Sequence, residues 1–109
     1  MTISIAGQTL PVTWEEHPSV DALKELCPLS VSLSMYGGFE QVGPLGTSLP
    51  REDAQITTQP GDIVLYAGNQ IVLFYGSNTW DYTRLGHIDL SEQELRELLS
   101  NGDVTLTLE

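Results

Sequence analysis

Between Pro60 and Gly76 the chain reads P-G-D-I-V-L-Y-A-G-N-Q-I-V-L-F-Y-G. Two runs of β-branched and aromatic residues flank Gly68-Asn69, a pair that favours the tight primed turn of a β-hairpin. Pairing Ala67 with Gln70 sets Leu65 opposite Val72 and Ile63 opposite Phe74 on one face. The other face then carries Tyr66 opposite Ile71, Val64 opposite Leu73 and Asp62 opposite Tyr75. Both faces are apolar, so each needs cover. The pattern predicts a ribbon in the middle of a barrel or sandwich, not an exposed hairpin.

The flanking sequence supplies more strands. Ile3 and Ile5, then Leu10, Val12 and Trp14, alternate with polar residues around Gly7 and predict a first hairpin, with Pro11 at an edge or bulge. Ser19 reads as an N-cap to a short helix whose apolar stripe is Val20, Leu23, Leu26 and Cys27, and Pro28 stops it. Leu29, Val31, Leu33 and Met35 alternate with serines in a half-buried strand. From Tyr36 to Thr58, glycines and prolines predict a long loop packed through Phe39, Val42, Leu45 and Leu49, with a short strand near residues 55–58. Tyr82–Ile88 predicts another strand. Ser91 and Glu94 have capping-box spacing, Leu90 can staple onto Leu95, and Asn101-Gly102 ends that helix. Val104, Leu106 and Leu108 alternate in a last strand. Seven or eight strands with two short helices predict one mainly β domain over residues 1–109, a closed β-barrel.

Charge narrows the partners. With four basic residues against fifteen acidic ones, the net charge is -11. Lys24, Arg51, Arg84 and Arg96 are scattered, so no clustered basic face is expected for nucleic acid, and anionic membrane is disfavoured. No run approaches the roughly 18 apolar residues of a membrane span. The first residues lack a signal peptide's basic and apolar regions, and Cys27 is the single cysteine, which fits a reducing compartment; a cytoplasmic location is expected. Oligomeric state is not legible.

The order of elements resembles the cyclophilin-like family, the fold of the cyclophilin prolyl isomerases. Ser19–Cys27 resembles its first helix, Pro60–Gly68 its P-G-x-L-S-M-A-N-A-G strand, Gln70–Phe74 its S-Q-F-F-I strand and Tyr82–Ile88 its H-V-V-F-G-K-V strand. F-E-Q-V-G-P-L-G-x-x-L-P, P-G-D-I-V-L-Y and Y-T-R-L-G resemble a small subfamily with no settled activity. The resemblance implies a ligand groove on the barrel's outer surface. It turns Ile63, Leu65, Ala67, Gln70, Val72 and Phe74 outward, and Val64, Tyr66, Ile71, Leu73 and Tyr75 inward. It sets Gln41 where the family has its catalytic arginine, Leu45 near the groove phenylalanine, Val72 at a second phenylalanine and Tyr82 at a histidine. Gln70 and Trp80 keep the family's residue types.

The expected groove is therefore Phe39, Leu45, Leu65, Val72, Phe74, Trp80 and Tyr82, edged by Gln41, Gln70 and Arg84. A groove without the arginine favours a non-catalytic module that holds a peptide or small apolar ligand, with no catalytic residues. The alternative is a weak peptidyl-prolyl isomerase. No cofactor or metal is expected: Trp14-Glu15-Glu16-His17 matches no recognised ligand spacing, and no lysine follows Gly43–Gly46 to make a phosphate loop. Cys27 reads as core, His87 as structural, and Arg84 is weighed also as an ion-pair partner.

Overall fold

The computed structural model describes all residues from Met1 to Glu109. The elements are β1 (Ile3–Ile5), β2 (Gln8–Leu10), β3 (Val12–Trp14), α1 (Pro18–Glu25), β4 (Leu29–Tyr36), β5 (Glu40–Pro44), β6 (Ala54–Thr57), β7 (Asp62–Tyr66), β8 (Gln70–Phe74), β9 (Thr79–Ile88), α2 (Glu92–Leu99) and β10 (Val104–Leu108). The strands hydrogen-bond in the order β2-β1-β10-β4-β5-β8-β7-β9-β3, and β6 pairs onto β9. This sheet curls into a mainly β barrel that is nearly closed. The expected full closure fails at one seam, between β2 and β3, where no ladder forms. Pro11 lies at that break; it lacks an N–H and holds φ near one value, so a continuous paired strand is interrupted there.

The central ribbon forms as β7 and β8, with β5 on one side and β9 on the other. Its register is one residue from the expected one: Tyr66 pairs with Gln70, Leu65 with Ile71, Val64 with Val72 and Ile63 with Leu73. The left-handed positions are Ala67 (φ 53°) and Gly68 (φ 74°), and the Asn69 N–H donates to the Tyr66 carbonyl at 3.2 Å. The tight turn thus centres on Ala67-Gly68, not Gly68-Asn69. A one-residue slip exchanges the faces of a strand. Ile63 and Leu65 turn into the main core, while Val64 and Tyr66 join Val72 and Phe74 on the outer face.

The segment expected as a long loop contains β5, which pairs with both β4 and β8. Gly43 allows this strand to pack closely: a β-carbon there would stand 2.3 Å from the Ser32 carbonyl oxygen. The short strand expected near residue 55 is β6, paired with the first half of β9.

Both helices contribute side chains to the barrel's main core. His17, not Ser19, is the N-cap of α1; its Nδ1 accepts from the Ser19 N–H, and Pro18 takes the first helical turn, where a missing N–H costs nothing. Ser19 instead donates its hydroxyl to the Pro50 carbonyl. In α2 the capping box forms as expected, with the Glu94 N–H donating to Ser91 Oγ and the Ser91 N–H to Glu94 Oε1, each at 3.1 Å. Leu23 of α1 and Leu95 and Leu99 of α2 are fully buried against Val31, Leu33, Ile63, Leu65, Ile71, Leu73 and Leu106. No helix is long and apolar enough to cross a membrane.

Candidate functional site

A second, smaller apolar cluster lies across β7, β8 and β9, on the faces those strands turn away from the main core. Val64, Val72, Phe74 and Tyr82 form it, with Phe39, Val42, Ile56 and Tyr66 packed around them. Strand alternation explains the set: Val64 and Tyr66, then Gln70, Val72 and Phe74, each lie two residues apart along their strands. Aromatic contacts run continuously through it. Tyr36 meets Phe39 edge-on at 6.1 Å, Phe39 stacks with Phe74 at 6.3 Å, Phe74 meets Tyr82 edge-on at 5.6 Å, and Tyr82 meets Tyr66 edge-on at 6.1 Å.

Above this cluster opens a groove of about 770 Å³, within the usual size of a small-ligand site. Tyr36, Gly37, Phe39, Glu40 and Val42 supply one wall, from β4, β5 and the turn between them. Tyr66, Gln70, Asn78, Trp80 and Tyr82 supply the other. Trp80 stands at the rim, 53% exposed. Asn78 Nδ2 donates to the Tyr82 hydroxyl at 2.9 Å, which fixes that ring, and burial raises the Tyr82 phenol above its ordinary pKa.

Glu40 is the one acid in this groove. Only 6% of it is exposed, and its carboxyl makes neither a hydrogen bond nor an ion pair with the protein. Burial raises its pKa from 4.5 to about 7, because the charged form loses water and gains no partner. A carboxyl so placed can hold a cation or carry a proton near neutral pH.

The expected site residues divide into two groups. Phe39, Gln70, Trp80 and Tyr82 line the groove, and Val72 and Phe74 lie beneath them in the outer cluster. Gln41, Leu45, Leu65 and Arg84 do not line it. Leu45 and Leu65 belong to the main core, Leu65 through the register slip of the ribbon. Gln41 is fully buried, and its Nε2 donates to the carbonyls of Leu99 and Gly102 at 2.8 Å each. It therefore caps the C-terminal end of α2. Alternation along β5 puts Glu40 and Val42 on the groove side and Gln41 on the other, so Glu40 stands where Gln41 was expected. Tyr36, Gly37, Glu40, Val42, Tyr66 and Asn78 were not anticipated. Glu40 and Val42 become readable once residues 40–44 are taken as a strand, and Tyr66 once the turn is centred on Ala67-Gly68.

Arg84 is held elsewhere. A bulge between Ile63 and Val64 in the β7–β9 pairing brings Arg84 and His87 to one carboxylate, that of Asp62. Arg84 Nη1 lies 2.6 Å from Asp62 Oδ2, and His87 Nδ1 lies 2.9 Å from Oδ1. Burial of Asp62 opposes its ionisation, but the Gln59 N–H, His87 and Arg84 outweigh it and hold the carboxyl below its usual range. The ion-pair reading of Arg84 thus describes its contacts. His17 is occupied in capping α1 and in a 3.1 Å contact with Glu52, and no group of three or more ligand-type side chains converges anywhere in the structure. Cys27 sits half-buried beside the core, its thiol pKa raised by burial.

The chain belongs to the cyclophilin-like family, whose model matches residues 3–109. A search of curated proteins finds no match to it.

Proposed function

We propose that this member of the cyclophilin-like family is a non-catalytic binding module, holding a peptide or small apolar ligand in the outer groove between Phe39 and Tyr82. The observation that supports this most is the aromatic lining: Tyr36, Phe39, Tyr66, Trp80 and Tyr82 border one open groove over the buried Phe74, with convergent amides from Gln70 and Asn78. Such surface is stabilised when an apolar ligand removes it from water. The acidic composition weighs against nucleic acid as the partner.

The alternative, a weak prolyl isomerase, has less behind it. Rotation about an X-Pro bond crosses a barrier of roughly 18–20 kcal/mol. Losing one preorganised charged donor to a transition state costs about 2.7–4 kcal/mol. No lysine or arginine lines the groove, and the position next to Phe39 that faces it carries Glu40.

Trp80 provides the test, since Trp14 is the only other tryptophan. Neutral aromatic fragments and short proline-containing peptides should change the fluorescence of the wild type saturably and that of Trp80→Phe hardly at all. A coupled prolyl-isomerisation assay on the same protein should give turnover indistinguishable from background. No saturable change with any probe would overturn the binding reading, and turnover comparable to an ordinary cyclophilin would replace it with the isomerase.

A further inference from the structure

We infer that the groove's ligand is a small organic cation, an alkylated ammonium ion, held by Glu40 and the surrounding aromatic rings. This rests on the binding reading above and narrows its ligand class. The argument begins with what Glu40 lacks. Glu40 lines the groove and is only 6% exposed as a residue, and its carboxyl has no protein partner. Buried ionisable groups are ordinarily paired, because an unpaired charge loses hydration without compensation.

The chain cannot supply that partner. Arg51, Arg84 and Arg96 are paired with Asp53, Asp62 and Glu92, and Lys24 lies on α1 beside a different cleft. A ligand can supply it. The walls show which kind. Tyr36, Phe39, Tyr66, Trp80 and Tyr82 face the same space as the carboxyl, and the negative faces of aromatic rings attract cations. A metal ion is a poor fit, since no further carboxylate, histidine or cysteine lines the groove. A primary ammonium needs several hydrogen-bond acceptors, whereas an alkylated one needs few and buries its carbons against the rings. Charge is complementary at both ranges: Glu40 at the site, and the net charge of -11 drawing cations toward the molecule.

On the neighbouring strands Glu40 pairs with Tyr36 and Phe74, and no residue lining the groove carries positive charge. A bound cation would therefore meet one ionised carboxyl and uncharged walls. Calorimetric titration at about pH 8, where Glu40 is ionised, compares choline with its neutral tert-butyl isostere. The expected result is choline binding at least roughly tenfold tighter, a difference within the range of a desolvated cation–π site. Glu40→Gln should remove most of that preference for choline and leave only the share of the aromatic rings; thermal melting checks that this variant is folded. Non-specific attraction to the acidic surface would survive Glu40→Gln undiminished, so an undiminished preference in the variant overturns the inference. Equal binding of the two probes overturns it as well but leaves the groove a ligand site. Binding of neither also overturns it, and the Trp80 titration with neutral probes then decides separately whether the groove reading stands.

Discussion

Two adjacent residues, Glu40 and Gln41, show how strand alternation divides function from structure. Glu40 is held in the groove at a cost to folding. Its carboxyl ionises near pH 4.5 when unfolded and near 7 when folded, so between these values the folded protein binds the proton more tightly. Its contribution is most favourable below about 4.5, declines as pH rises toward 7, and is flat above. Glu40→Gln removes the titration. It should stabilise the protein at about pH 8 by at most about 3 kcal/mol, with the gain shrinking toward pH 5, as read by urea denaturation at both. Asp62 has the opposite sign: its lowered pKa contributes stability above the ordinary carboxylate range, lost only at stronger acid. Gln41 holds two carbonyls at the end of α2, so Gln41→Leu should cost about 1–3 kcal/mol by leaving buried acceptors unpaired. The groove resonances of the same variant should stay in place, since Gln41 lies on the far side of β5.

At the scale of elements, α2 was the most legible part of the chain. Ser91 and Glu94 satisfy each other's backbone N–H groups through local contacts alone, and local contacts are what a sequence displays. Ser91→Ala should lower stability by about 1 kcal/mol in chemical denaturation; an unchanged midpoint would place the helix start elsewhere. The half-buried β4 was legible for the same reason, through its period, whereas Leu10, Val12 and Trp14 read as one strand with Pro11 at an edge or bulge and instead form two, β2 on β1 and β3 on β9. The ribbon's existence could be read from its two apolar runs, but its register could not. Both faces are apolar, so sliding by one residue exchanges Leu65 for Tyr66 without exposing anything polar, and nothing in the pattern penalises the slip. The turn chose between them by putting Ala67, an uncommon residue at positive φ, beside Gly68. Strand β5 was hidden by composition: Gly43 and Pro44 read as loop, yet Gly43 is what lets the strand lie against Ser32. The misplacement of the groove's acid follows from that one unread strand.

For the whole molecule, the helices and most strands build one large core, and the outer faces of β7, β8 and β9 are left to a second, thinner cluster. A single core would suffice to hold a chain of this size, so the outer cluster, open at the groove, is what a ligand can still cover. Family membership fixes the barrel as the shared frame and leaves the groove's contents to this chain: Arg84 and His87 are turned to Asp62, and the groove receives Glu40 and five aromatic rings. On the proposed function, ligands enter at this groove and not at the cleft between Trp14 and Lys24. Amide correlation spectra of isotope-labelled protein, titrated with neutral aromatic fragments, report on every strand at once. The largest shifts should fall at Gly37 to Val42, Tyr66, Gln70 and Asn78 to Tyr82. Shifts that instead gather at the cleft between Trp14 and Lys24, or that leave the groove residues unmoved, would contradict it.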